Sequence, residues 1–157
     1  MRQPGEDAAD FLQLAVDDPS VPAAAEFLEW LVAISRHVPR DPRHVTVRVV
    51  DAAESQALNR QFRGKDAPTN VLSFPADLPE DIDADYLGDI VVCAEVVRRE
   101  ARDQNKSLPG HWAHMLVHGV LHLQGYDHQE DAEAAEMEAL ETEILGEMGY
   151  PDPYAGD

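Results

Sequence analysis

The segment HGVLHLQGYDH, His118–His128, sets three histidines at spacings of four and six, with Gly125 three places before the last. This is the spacing of H-E-x-x-H-x-x-G-x-x-H, the zinc motif of one class of metalloproteases. One position departs from it. Where that motif carries the glutamate general base, this chain has Gly119. On a helix, His118 and His122 stand one turn apart on one face and can share a metal ion. Imidazole nitrogens hold Zn²⁺ at about 2.1 Å, and three of them leave a coordination position open, as in catalytic rather than structural zinc sites. Gly125 permits a left-handed C-cap that reverses the chain. GYD then delivers His128. The segment predicts a helix, a glycine stop and a zincin-like three-histidine metal site, with His118, His122 and His128 holding one Zn²⁺.

The neighbours of these ligands carry open readings. Asp127 either fixes an imidazole tautomer by a hydrogen bond or is a plain turn residue. Gly119 lies mid-helix, where glycine costs about 1 kcal/mol relative to alanine. It either lets a strand or substrate approach the helix backbone or serves tight helix packing alone. Upstream, HWAHMLV continues the same helix. At 100° per residue, His111, His114, His118 and His122 fall within an arc of about 80°. His114 is a candidate catalytic residue that could reach the metal's solvent ligand or a substrate. A helix-face histidine bonded to a carbonyl is the alternative. His111 is read as structural, and His37 and His44 receive no role.

Outward from this helix the chain alternates helical and extended patterns. DFLQLAVDD (10–18) reads as a first strand. PSVP opens a helix with Ser20 as candidate cap and Pro22 in the first turn, burying Phe27, Leu28, Leu31 and Ile34. HVTVRVV (44–50) is β-branched and alternating, a strand. AESQALNRQF (53–62) reads as a short helix, GKDAPTN as a loop and VLSF as a short strand. ADLPEDIDAD (76–85) reads as an acidic surface loop, and YLGDIVVC as a central strand. AEVVRREARDQN forms a helix with Val96 and Val97 inward and Arg98, Arg99 and Arg102 outward. The histidine helix starts near Ser107 with Pro109 in its first turn. A final helix from about Glu130 to Gly149 buries Ala134, Met137, Leu140, Ile144 and Leu145. The sum is an α+β domain over residues 1–157, with 1–10 expected to be flexible. About four strands form a mixed sheet packed with about five helices.

The totals bound the function. One domain of 157 residues can bury a core without disulfides. The single cysteine, Cys93, ends an apolar run and reads as core, which suits a reducing compartment. No stretch approaches the ~18 apolar residues of a membrane helix. MRQPGEDAAD lacks the apolar stretch of a signal peptide, so a cytoplasmic location is expected. The formal net charge is −19, which argues against non-specific nucleic-acid binding. The charge is uneven, however. From Gln129 onward there are ten acids and no Lys or Arg, so all 12 basic residues lie in 1–128. The acidic last helix reads as a solvated face.

Arg60, Arg63 and Lys65 cluster in NRQFRGKDAPTN (59–70) and are candidate RNA-binding residues. Arg63 beside Gly64 could clamp a phosphate bidentately or merely complement a helix dipole. The zinc reading favours the phosphate. Peptide hydrolysis at zinc commonly uses a carboxylate base, and position 119 supplies none. Phosphodiester cleavage can rely on metal activation and on a cation that stabilises the developing charge. RNA brings its own 2′-OH nucleophile.

NRQFRGKDAPTNVLSFP, LGDIVVC and HWAHMLVHGVLHLQGYDH, continuing into EDAEAAEMEALETEILGEMGYPDPY, together resemble the YbeY family of bacterial endoribonucleases. The resemblance covers nearly the whole chain in order. It implies a zinc-dependent hydrolase with His118, His122 and His128 as ligands and Arg63 facing substrate. It implies cleavage of single-stranded RNA in 3′-end maturation of 16S rRNA, ribosome assembly and 70S ribosome quality control. It further implies contacts with small-subunit ribosomal proteins and a ribosome-associated GTPase. Two other readings stand beside it. A zinc peptidase would need a carboxylate near the metal from outside the motif. A non-catalytic assembly factor would use the zinc for structure and its acidic helix for basic ribosomal proteins.

Overall fold

The computed structural model describes residues 11–76, 86–127 and 129–154. Residues 1–10, nearly all of the expected acidic loop, and His128 lie outside these. Within them the chain builds β1 (Leu12–Leu14), α1 (Ala24–Ser35), β2 (Val45–Val50), α2 (Ala52–Arg63) and β3 (Val71–Pro75). It continues with β4 (Gly88–Cys93), α3 (Ala94–Asp103), α4 (Leu108–Leu123) and α5 (Asp131–Glu147). The expected α+β class holds, with four strands and five helices among the described residues.

The sheet is mixed, in the order β1-β2-β4-β3. β1 runs parallel to β2 and β2 parallel to β4, while β3 pairs antiparallel with β4. Side chains alternate across a strand, so each central strand feeds two cores. Val45, Val47 and Val49 of β2 and Ile90 and Val92 of β4 join the large core under α1, α4 and α5. Val50, Val91 and Cys93 face the other way, toward Leu72, Val96 and Leu58. The two-sided burial of β4 explains its continuous apolar run.

Helix α4 lies on the large-core face and carries the histidines. It is buried nearly all round, as expected of a helix with other elements on every side. Ser107 caps it, its hydroxyl oxygen accepting from the Gly110 amide at 3.1 Å. Gly119 faces the sheet at close range. A Cβ there would stand 2.9 Å from Ile90 Cγ2, and Ile90 is fully buried. The helix backbone therefore rests on the central strand, and β3 adds a tie where the Ser73 hydroxyl donates to the Gly119 carbonyl at 3.2 Å. Of the readings open for this glycine, strand approach is the one observed.

Two local expectations need correction. Ser20 does not cap α1. Its amide and hydroxyl both donate to the Asp18 carboxylate, at 2.9 and 2.7 Å, so its oxygen is committed to a turn. The helix starts after Pro22, with Ala23 as an N-cap that makes no side-chain bond. On α5, Ala134 and Leu140 are only half-buried. The position that completes that stripe is Glu141.

Candidate metal centre and nucleic-acid cleft

The C-terminus of α4 ends as its glycine predicts. Gly125 has φ 103°. The Gly125 amide bonds the His122 carbonyl and the Tyr126 amide bonds the Leu121 carbonyl, both at 3.0 Å. This pairing is the Schellman arrangement, which satisfies the last carbonyls and turns the chain sharply. Tyr126 packs back on the large core, so the turn is anchored. His118 and His122 sit just before it, their ring centroids 4.8 Å apart.

Facing them is the end of α2. Asp51 caps this helix through the Glu54 amide at 2.9 Å, and Gly64 closes it at φ 70°. Two buried polar residues then pin the following loop. The Ser55 hydroxyl donates to the Thr69 carbonyl at 3.0 Å and accepts from the Thr69 amide at 2.9 Å. Asn59 donates to the Ala67 carbonyl at 2.8 Å. Buried polar groups are expected to be paired in this way, and here the pairing holds the FRGKDAPTN loop against its own helix.

The result is an open cleft of 790 Å³ lined by Phe62, Arg63, residues 69–74, His118, His122, Asp127 and Gln129. Arg63 and the two described histidines, 55 residues apart in sequence at the closest, share one cavity. Arg60 and Lys65 are exposed and do not line it. Arg60 lies 4.0 Å from Asp66. Phe62 is 56% exposed, with its ring set edge-on to Phe74 at 5.1 Å.

Behind the cleft lies a cluster centred on Glu141. Glu141 of α5 is 1% exposed. Its Oε2 lies 2.8 Å from His118 Nδ1 and 3.2 Å from His114 Nε2. Its Oε1 accepts from the Tyr154 hydroxyl at 2.5 Å. Burial alone would raise the pKa of this carboxyl, but the bonds from His114, His118 and Tyr154 prevail and bring it down to about 2. Burial lowers the pKa of His114, against the pull of Glu141. Burial and Glu141 both raise that of Tyr154. His114 thus binds a carboxylate and a phenol, and it does not line the cleft. His111 is held by Glu100 at 2.9 Å, as a structural histidine would be.

Two donor sets for a metal emerge. The ligand atoms of His114, His118 and Glu141 lie within 4.8 Å of one another. His118 and His122 form the other set, opening on the cleft, with His128 joining by sequence spacing alone. Imidazole donors beside an open cavity suit zinc with a free coordination position. Glu141 also bears on the peptidase alternative. It is a carboxylate from outside the motif, yet it is buried against the Nδ1 edge of His118 and absent from the cleft lining, so it cannot act as a base there. Its signal in the sequence was its place on the stripe Met137, Glu141, Ile144, Leu145, a helical spacing that puts a carboxylate among core residues.

A family model described as endoribonuclease YbeY matches residues 18–149. The solution structure of TM1509 from Thermotoga maritima is similar at 29% identity and a TM-score of 0.52, covering 92% of this chain and 99% of that one.

Proposed function

The chain belongs to the YbeY endoribonuclease family, nucleases of rRNA processing, and on that footing we propose that it is a zinc-dependent endoribonuclease specific for single strands. The observation that carries this reading is the shared cleft of Arg63, His118 and His122. His118, His122 and His128 would hold the zinc as neutral nitrogen donors. The chemistry that zinc supplies when bound is polarisation of a phosphoryl group and activation of water near neutral pH.

The other steps fall to the chain's own residues. Arg63 grips the scissile phosphate through its planar fork and stabilises the charge that grows on the equatorial oxygens. Phe62 offers an exposed ring at the cleft rim, suited to stacking on an unpaired base. A duplex hides its base faces, so this feature favours a single strand. Asp127, which lines the cleft, is a candidate for proton transfer or for orienting an imidazole. The biological setting we assign is 3′-end maturation of 16S rRNA, ribosome assembly and 70S ribosome quality control in the cytoplasm. Small-subunit ribosomal proteins and a ribosome-associated GTPase are the expected partners. No helix among the described residues is long and apolar enough to cross a membrane.

The test compares wild type, R63A and H122A on single-stranded RNA, with metal content measured in parallel. R63A should keep its metal and lose about 10²–10³-fold in kcat, the usual loss for one charge-stabilising donor. H122A should lose metal and activity together. Fully metallated wild type that leaves RNA intact, or that turns over casein with RNA in excess, would overturn the reading.

A further inference from the structure

Glu141 is the one buried carboxylate among the described residues, and the reaction as proposed does not use it. A carboxylate removed from water is costly unless hydrogen bonds replace its hydration. Three groups from two other segments do so here: His114 and His118 of α4 and Tyr154 beyond α5. Such convergence on one side chain calls for a reason beyond stability, since an apolar residue would fill this stripe at less risk.

The reason lies in the imidazole. A neutral histidine carries one N–H and one lone pair. An ionised carboxylate only accepts. With Glu141 Oε2 at 2.8 Å from His118 Nδ1, the proton must sit on Nδ1, because the other tautomer would set two lone pairs against each other. The lone pair then belongs to Nε2, the nitrogen at the far end of the ring. His118 also lines the cleft, so its ring spans from the buried carboxylate to the cavity. Metal-binding histidines generally donate their other ring N–H in this way, which fixes the ring and strengthens its donor nitrogen.

We propose that Glu141 is a positioning residue for the metal centre: it holds His118 in the Nδ1–H tautomer and presents Nε2 to a zinc ion shared with His122. The assignment rests on the metal site proposed above. It places Glu141 behind the ligand, in contrast to direct coordination by the group His114, His118 and Glu141. In that alternative the metal would displace the donors that now stabilise the carboxylate, in a spot almost closed to water.

Two measurements test this. Long-range nitrogen–proton NMR correlations on the metal-free wild type should show His118 protonated at Nδ1 and bare at Nε2. The opposite tautomer overturns the proposal without any variant having to fold. Zinc affinity by chelator competition should then fall about 10–100-fold in E141Q, the usual loss when such a partner is removed. H118A and H122A should abolish tight binding, and H114F should keep one zinc per chain. Wild-type affinity in E141Q, with H122A still losing its zinc, would refute the role of Glu141 and leave the histidine site standing. Loss of zinc in H114F with retention in H122A would place the metal on Glu141 itself and refute both. Failure of wild type to bind zinc would refute the metal site and Glu141's role with it.

Discussion

Gly119 seats α4 against the central strand β4. Its absent Cβ is what lets α4 lie on β4, because Ile90 occupies the space within 2.9 Å. Ile90 is β-branched and stiff at χ1, so it cannot swing aside cheaply. G119A gains about 1 kcal/mol of helix propensity but overpacks a full core, which costs about 1–3 kcal/mol. The expected net effect is a loss of about 1 kcal/mol, read as a lower urea midpoint with an unchanged slope. A stabilised variant would mean that the helix does not press on the strand. The sequence showed that position 119 lacked a carboxylate. It could not show what the glycine met, since Ile90 comes from a strand 29 residues away whose placement depends on the whole sheet. Glu141 differs. Its helical spacing from Met137, Ile144 and Leu145 was visible all along, but the overall acidity of the helix masked one carboxylate on the wrong face.

Among the elements, α3, α4 and the entry to β3 are joined by a second carboxylate. Glu100 lies 2.9 Å from His111 Nε2 and accepts from Asn70 Nδ2 at 3.1 Å. Burial raises its pKa, and the His111 and Asn70 bonds outweigh this to leave it lowered. A carboxylate whose folded pKa lies below its unfolded value, about 4.3 for Glu, adds stability above that value. The contribution disappears as pH falls through the folded pKa. E100Q should therefore be less stable than wild type at pH 7, and the gap should narrow as urea midpoints are followed from about pH 5 downward. A gap constant over that range would show that Glu100 does not act through its charge. The elements themselves were largely legible, because β2 alternates, β4 is a continuous apolar run and α4 is a long apolar stretch between Ser107 and Gly125. Their caps were less so. Ser107 followed the rule, whereas Ser20 was drawn into the Asp18 turn by a competing local bond.

For the whole molecule, the charge pattern has a structural counterpart. The acids of α5 are mostly solvated, as a charge run usually is, and Glu141 is the exception. Arg63 enters the cleft while Arg60 and Lys65 stay outside it. With a net charge of −19, RNA is expected to be gripped locally at this cleft rather than along a broad basic face. Strand order and the meeting of Arg63 with the histidines were beyond periodicity, since both depend on which edges pair. The proposed zinc-dependent ribonuclease activity is assigned to this cleft. Its most direct test is to strip wild type with a chelator and return zinc in steps while following cleavage of a single-stranded RNA. The rate should climb with bound zinc and level off at one ion per chain. Undiminished cleavage by the metal-free protein would contradict it.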